Sequence, residues 1–269
     1  MSYNLLKGKK GIIFGALDEQ SIAWKVAERA HEEGADLILT NAPVALRMGQ
    51  IKSLGEKLNV PVIAADATNM DDITALLDAA EERFGKVDFL LHSIGMSLNV
   101  RKNRTYPDLN YDWLHKGLDI SALSFHRIIQ SLYQRDLMNE WGSIVGLTYL
   151  AAQRTFSKYN DMAEAKALLE SIARSFGYHY GKFRKVRVNT VSQSPTVTTA
   201  GSGVKDFDRM MRFGEVGSPL GNATGEECAD YCITLFSDLT RKVTMQNLFH
   251  DGGFSSMGVS EALLDAFNG

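Results

Sequence analysis

Tyr149, Tyr159 and Lys166 are the residues whose types and spacing suggest proton chemistry. Six residues separate Tyr159 from Lys166, a span of about two helical turns, so on one helix both side chains can face the same side. A phenol beside an ammonium group is a better proton donor, because positive charge favours the phenolate. A second pair, Tyr178 and Lys182, has the shorter Tyr-x3-Lys spacing but falls at an expected helix end, with Ala165 and Lys166 where a serine would be needed. We read it as a basic helix C-terminus.

A second group of residues suits a dinucleotide. Gly15 ends an apolar run and is followed by Ser21-Ile22-Ala23, which open a helix. The N–H groups and dipole of a helix start suit a pyrophosphate, and the Ser21 hydroxyl can either cap the helix or donate to phosphate. The usual Gly-x-Gly-x-x-Gly is absent, since the turn has only Gly11 and Gly15. Asp66-Ala67 follows the third expected strand, where a carboxylate can accept from an adenine amino group. Ser93-Ile94-Gly95 follows the fourth, where small residues let a cofactor pass close to the backbone. Lys166 can also bind the nicotinamide ribose hydroxyls. An acid ending the second strand would mark the ribose of NAD, but Thr40-Asn41-Ala42-Pro43 has none. No cluster of positive charge awaits a 2′-phosphate, so NADH is expected, with Ala42 among the cofactor residues. Arg47 keeps NADPH open.

Elements that position these groups follow from periodicity. Strands are expected at 11–15, 36–40, 60–65, 87–92, 142–147, 186–191 and 243–250. Helices are expected at 21–33, 44–58, 71–84, 111–138, 157–180 and 224–238, the last opened by a Thr224–Glu227 capping box. This alternation predicts an α/β fold: a Rossmann-like, doubly wound parallel sheet of about seven strands with helices on both faces. Residues 1–269 read as one dinucleotide-binding domain with insertions near 97–112 and 192–222, beyond strand ends where such sheets bind ligands.

Composition excludes several classes. The 269 residues carry 29 Lys+Arg and 32 Asp+Glu, a formal charge of −3, which argues against nucleic acid as a partner. The longest apolar runs fall well short of the ~18–20 residues of a membrane helix, and the first ten residues hold no signal core. A cytoplasmic protein is expected. Cys228 and Cys232 share a helix face without a nearby His, so we read them as small apolar residues in a reducing compartment and expect no metal.

Together, Gly15 with Ser21-Ile22-Ala23, Ser93-Ile94-Gly95, Leu147-Thr148-Tyr149, Tyr159-Asn160-x5-Lys166 and the 186–191 strand resemble the bacterial NADH-dependent enoyl-acyl-carrier-protein reductases. These form a divergent branch of the short-chain dehydrogenase/reductase superfamily, and the resemblance runs from Leu6 to Met257. It implies a homotetramer that performs the last reduction of fatty-acid elongation, with an enoyl thioester on acyl-carrier protein as substrate and hydride delivered to its β-carbon. By resemblance Tyr159 donates a hydrogen bond to the thioester oxygen, Lys166 holds the ribose and the electrostatic setting of the phenol, and Tyr149 lines the acyl site. Asp119 is structural. Thr196, Val197, Thr198, Thr199 and Ala200 match the segment passing the nicotinamide and pyrophosphate. Gln193-Ser194-Pro195 departs from the family's small-Gly-Pro there, and Thr196 replaces an Ile. The stretch from Val204 to Phe213, with Phe207, Met210 and Met211, resembles the substrate-binding helix. Ser97 to Arg104 resembles the second wall, with Ser97 toward substrate and Arg101, Lys102 and Arg104 toward an acidic carrier. A general short-chain alcohol or ketone dehydrogenase and a non-catalytic dinucleotide sensor are the alternatives. The missing Ser with Tyr-x3-Lys counts against the first, and intact Tyr159 and Lys166 count against the second.

Overall fold

Near-continuous apolar strands need cover on both faces, and the helices between them supply it. A computed structural model describes residues 2–199, 201 and 206–265; Ala200 and Val204 lie outside the described residues. In chain order the elements are β1 (Lys10–Phe14), α1 (Ile22–Glu32), β2 (Asp36–Asn41), α2 (Pro43–Met48), α3 (Ile51–Leu58), β3 (Val62–Ala64), α4 (Met70–Phe84), β4 (Val87–His92), α5 (Leu98–Arg101) and α6 (Tyr111–Leu118). A π-helical turn (Asp119–Leu123) leads to α7 (Ser124–Gln134), then β5 (Met138–Thr148), α8 (Met162–Arg184), β6 (Arg187–Gln193), α9 (Phe207–Gly217), α10 (Gly225–Phe236), β7 (Asn247–His250) and α11 (Glu261–Asp265).

The strands form one seven-stranded sheet in the order β3-β2-β1-β4-β5-β6-β7, every pair parallel. Alternation along β1 splits the interior in two. Ile12 and Phe14 pack with α4, α7 and α8, while Ile13 packs with α1, α3 and α10. The chain reverses direction across the sheet between β1 and β4, which opens a crevice at their carboxyl ends.

Several expected elements are redrawn. The single helix at 44–58 is two, because the chain turns extended at Gly49 and the Gln50 N–H donates to Leu17 C=O (2.7 Å). A Cβ on Gly49 would meet that carbonyl at 2.7 Å, so the break lets the segment close on the first βα loop. The helix at 111–138 stops at Gln134, and Met138 already belongs to β5. Asp136 takes a left-handed φ of 51°, with Leu137 N–H bonding Leu132 C=O and Asp136 N–H bonding Tyr133 C=O. This is a Schellman stop built on Asp rather than Gly. The helix at 157–180 begins only at Met162 and runs on to Arg184. Tyr159 therefore lies in the turn before the helix, so Tyr159 and Lys166 do not share one helix face. β3 and β7 are shorter than expected, whereas the Thr224–Glu227 capping box is formed.

Gly15 is one of the positions where the fold tolerates no side chain. Its φ is +101°, and a Cβ there would lie 2.1 Å from the Ser93 carbonyl oxygen. Gly15→Ala combines this clash with an unfavourable left-handed backbone. We expect it to lose at least about 1–3 kcal/mol of unfolding free energy, read from urea denaturation. Wild-type stability in this variant would show that β1 and β4 do not approach this closely.

Candidate active site

The carboxyl ends of the strands gather the expected residues around the β1–β4 crevice. At the tip of β1, Gly15 N–H donates to Thr40 C=O (3.1 Å). Ser21 occupies the N-cap position of α1, but its hydroxyl makes no cap bond. It accepts from Leu17 N–H (3.1 Å) and donates to Asp18 C=O (2.7 Å), so Ser21 shapes the loop instead of closing the helix. The first turn of α1, at Ile22, holds no acidic residue and no side-chain cap, whereas α4 and α10 are capped by Asn69 and Thr224. A helix start left open at a ligand crevice suits an anion.

At the tip of β2, Asn41 donates to Ala16 C=O (2.9 Å) and accepts from Ala42 N–H (2.8 Å), tying this strand end to the first loop. Arg47 is exposed on α2. Beyond β3, one oxygen of Asp66 is held by the N–H and hydroxyl of Thr68 (2.9 and 2.7 Å), with Ala67 buried beside it. Beyond β4, Ser93 N–H donates to Phe14 C=O (3.2 Å), and a Cβ on Gly95 would sit 3.4 Å from Lys166 Nζ.

Lys166 is the junction of the site. It is only 7% exposed, and its ammonium donates to Leu147 C=O (2.8 Å), near the end of β5, and to Ile94 C=O (3.5 Å), just beyond β4. Burial draws its pKa down to about 8, opposed by the Glu170 carboxylate one turn on. Glu170 is itself buried and accepts from Thr148 and Gln153. His92, fully buried at the end of β4, meets the Ser124 hydroxyl (2.8 Å), and burial together with Lys166 lowers its pKa to about 3, which keeps it neutral.

The two tyrosines stand together, with ring centroids 5.0 Å apart at 56°, and Tyr149 also packs on Phe156. Burial pushes the Tyr159 phenol well above its usual range. Burial thus acts against the pull toward the phenolate expected from Lys166. Tyr149 is raised too, by burial first and then by Tyr159 and Asp251.

Sequence reasoning missed the groups that hold this arrangement. Asp161, two residues past Tyr159, is buried and accepts from Ser97 (2.6 Å) and Asn99 (2.8 Å). Ser97, expected to face substrate, is itself buried, with its hydroxyl between Asp161 and Val100 N–H. Of the basic rim, Arg101 and Lys102 are exposed, while Arg104 pairs with Asp108 (2.6 Å). Asp119 pairs with Arg127 (2.5 Å), in line with a structural role.

At β6 the departure from small-Gly-Pro is filled by a network. Gln193 Nε2 donates to the Thr196 hydroxyl (3.0 Å) and Ala223 C=O (3.1 Å). Its Oε1 meets His250 Nδ1 (2.7 Å), so that nitrogen carries the proton. Thr198 accepts from Gly201 N–H, Val197 is exposed, and Thr199 donates to Asp18 on the first loop (2.5 Å). Phe207 begins α9 and lies against Gly201. No local pattern announces Gln193 or Asp161: Gln193 stands between Ser192 and Ser194, and Asp161 follows Asn160.

The geometry meets known proteins at this point. A family model described as enoyl-(acyl carrier protein) reductase matches residues 15–255. Enoyl-acyl-carrier-protein reductase (NADH) 2 of Rhizobium meliloti strain 1021 is 35% identical over 263 residues, covering 96% of this chain and 97% of that one. The Rickettsia felis enoyl-acyl-carrier-protein reductase (NADH) FabI is 34% identical over 260 residues, covering 96% and 98%. A crystal structure of a FabI–NADH complex from Alistipes finegoldii superimposes with a TM-score of 0.96 at 67% identity, covering 97% of this chain and 93% of that one.

Lys166 also carries a stability signature. Below pH 8 the folded chain must bury an ammonium that the unfolded chain exposes, a penalty relieved as pH rises from about 8 toward the ordinary 10.5. The stability of Lys166→Met relative to wild type should therefore be most favourable near pH 7 and fall by pH 10, measured as urea midpoints. A pH-independent difference would show that the ammonium is not desolvated.

Proposed function

The chain belongs to the enoyl-acyl-carrier-protein reductase family, and from that membership we propose that it reduces the trans-2 double bond of enoyl thioesters with NADH. The observation that carries the site assignment is the Tyr149–Tyr159 pair beside a buried Lys166 at the strand tips.

The crevice fits a dinucleotide in its donor set: an uncapped start of α1 at Ser21 and Ile22 for pyrophosphate, and the small residues Gly15, Ser93 and Gly95, with Ile94 between the last two, along its path. Ala42, Asp66 and Ala67 would flank the adenosine, and Thr196, Val197, Thr198 and Thr199 the nicotinamide side. Lys166 would hold the ribose hydroxyls. The absence of a basic cluster at Ala42 favours NADH over NADPH. The reduced nicotinamide, when bound, supplies a hydride to the β-carbon of the substrate.

The protein's own part is electrostatic. As negative charge builds on the thioester oxygen, Tyr159 donates a hydrogen bond that strengthens toward the transition state. Tyr159 keeps its O–H at neutral pH, as an ordinary phenol does, and burial raises its pKa further. Tyr149 and Phe207 line the acyl site. Ser97 supports the opposite wall, and the exposed Arg101 and Lys102 offer charge to an acidic carrier. From the family membership we read the chain as a homotetramer in the cytoplasm.

Crotonyl thioester should be reduced with NADH faster than with NADPH, and acetoacetyl thioester should not be reduced, as followed by loss of nicotinamide absorbance. Turnover of the keto substrate alone would make the chain a ketone reductase. Tyr159→Phe should lower kcat about 10²–10³-fold with NADH affinity kept. Unchanged turnover would remove Tyr159 from the chemistry.

A further inference from the structure

Asp161 is a buried carboxylate at the entrance of α8, 3% exposed. Among the described residues it has no ion-pair partner. A carboxylate removed from water without a cation is costly unless its oxygens are hydrogen-bonded. Here each oxygen takes one bond, Oδ1 from the Ser97 hydroxyl (2.6 Å) and Oδ2 from the Asn99 amide (2.8 Å). The N-terminus of the long helix α8 adds a favourable field. Both donors are fixed from behind. Ser97 also accepts from Val100 N–H, and Asn99 exchanges two bonds with the backbone of Asn110.

Two further contacts join the same segments. Asn160 holds a left-handed φ of 42°, and its amide donates to Arg104 C=O (2.6 Å). The Tyr106 hydroxyl bonds Glu164 in the first turn of α8. Residues 97–110 and the 159–164 turn are thus stitched at successive positions. The most buried stitch lies two residues from Tyr159, whose own side chain has no bond in this network.

We propose that Asp161 is a positioning residue that clamps the turn carrying Tyr159 against the 97–110 wall. The clamp sets the direction of the phenol without touching substrate. A phenol that must donate to a charge developing in the transition state loses effect when it wanders. The clamp also makes the wall beneath Arg101 and Lys102 one body with the catalytic turn. This inference rests on the assignment of Tyr159 as the donor to the thioester oxygen.

The test uses the full-length protein, crotonyl-coenzyme A and NADH, with hydrogen exchange of backbone amides 156–162 as a readout independent of chemistry. In Asp161→Ala, exchange at 156–162 should rise about ten-fold or more, from the loss of two charge-assisted bonds. kcat should fall about ten-fold or more, with the NADH dissociation constant within about two-fold of wild type. Asp161→Asn should bring both back to within about three-fold of wild type, because the Ser97 hydroxyl can turn to accept from the new amide while Asn99 keeps its acceptor. Unchanged exchange in Asp161→Ala overturns the clamp. Raised exchange with unchanged kcat overturns the positioning role. Should Asp161→Ala not fold, Asp161→Asn beside Ser97→Ala gives the same comparison, since Ser97→Ala must also raise exchange at 156–162. Tyr159→Phe separates the two assignments: full turnover there defeats Tyr159 as donor and with it the positioning role, while exchange still decides whether the clamp exists.

Discussion

Lys166 places an ammonium group between carbonyls near the ends of β4 and β5, almost out of contact with water. Burying that charge costs several kcal/mol unless dipoles and nearby charge answer it. The answers come from three directions: Ile94 C=O, Leu147 C=O and the Glu170 carboxylate on the same helix. Glu170 is in turn held by Thr148 at the end of β5 and by Gln153 beyond it. The demand of one buried charge therefore fixes how α8 crosses the strand tips, and α8 fixes where the Tyr159 turn can start. His92, neutral beneath the same edge, adds no second charge to that demand.

Chemistry at this edge depends on two opposite uses of burial. The ammonium is pulled toward neutrality, its pKa falling to about 8, while the tyrosine is pushed away from ionisation. Both shifts reduce charge in a low-dielectric crevice. In the proposed reaction such a phenol would keep its proton until charge arrives on a neighbouring oxygen. A pre-formed phenolate would have no hydrogen bond to give. The conformation of the turn matters as much as the pKa, and it is held by polar residues outside the reacting set.

The crevice is shaped by close approach as well as by polar contacts. Gly15 lets β1 come against the Ser93 carbonyl, which brings the first βα loop to the path between β1 and β4. On the far side, Gln193 ties several segments together. It joins the end of β6, the loop at Thr196, the backbone at Ala223 and His250 on β7. His250 stacks on Tyr231 of α10, so the network reaches the helix layer. The departure in sequence is answered by a crosslinked loop.

Periodicity and strand-end residues were enough to read the parallel α/β order, the first loop, the tyrosine pair and Lys166 from the sequence alone. These features are local: apolar alternation marks strands, and short motifs mark their tips. What the tertiary structure decided is where local rules compete with distant partners. Helix α7 gives way to β5 through a left-handed Asp136, with no glycine to announce the stop. The helix at 44–58 breaks because Leu17, far back in the chain, takes the Gln50 N–H. Tyr159 leaves the helix because Asn160 and Asp161 find their partners at Arg104, Ser97 and Asn99, more than fifty residues earlier. The sequence by itself determined which side chains are candidates for the chemistry and which edge of the sheet presents them. Only the folded chain determined their orientation, because that depends on hydrogen bonds and buried charge between segments that no local pattern connects.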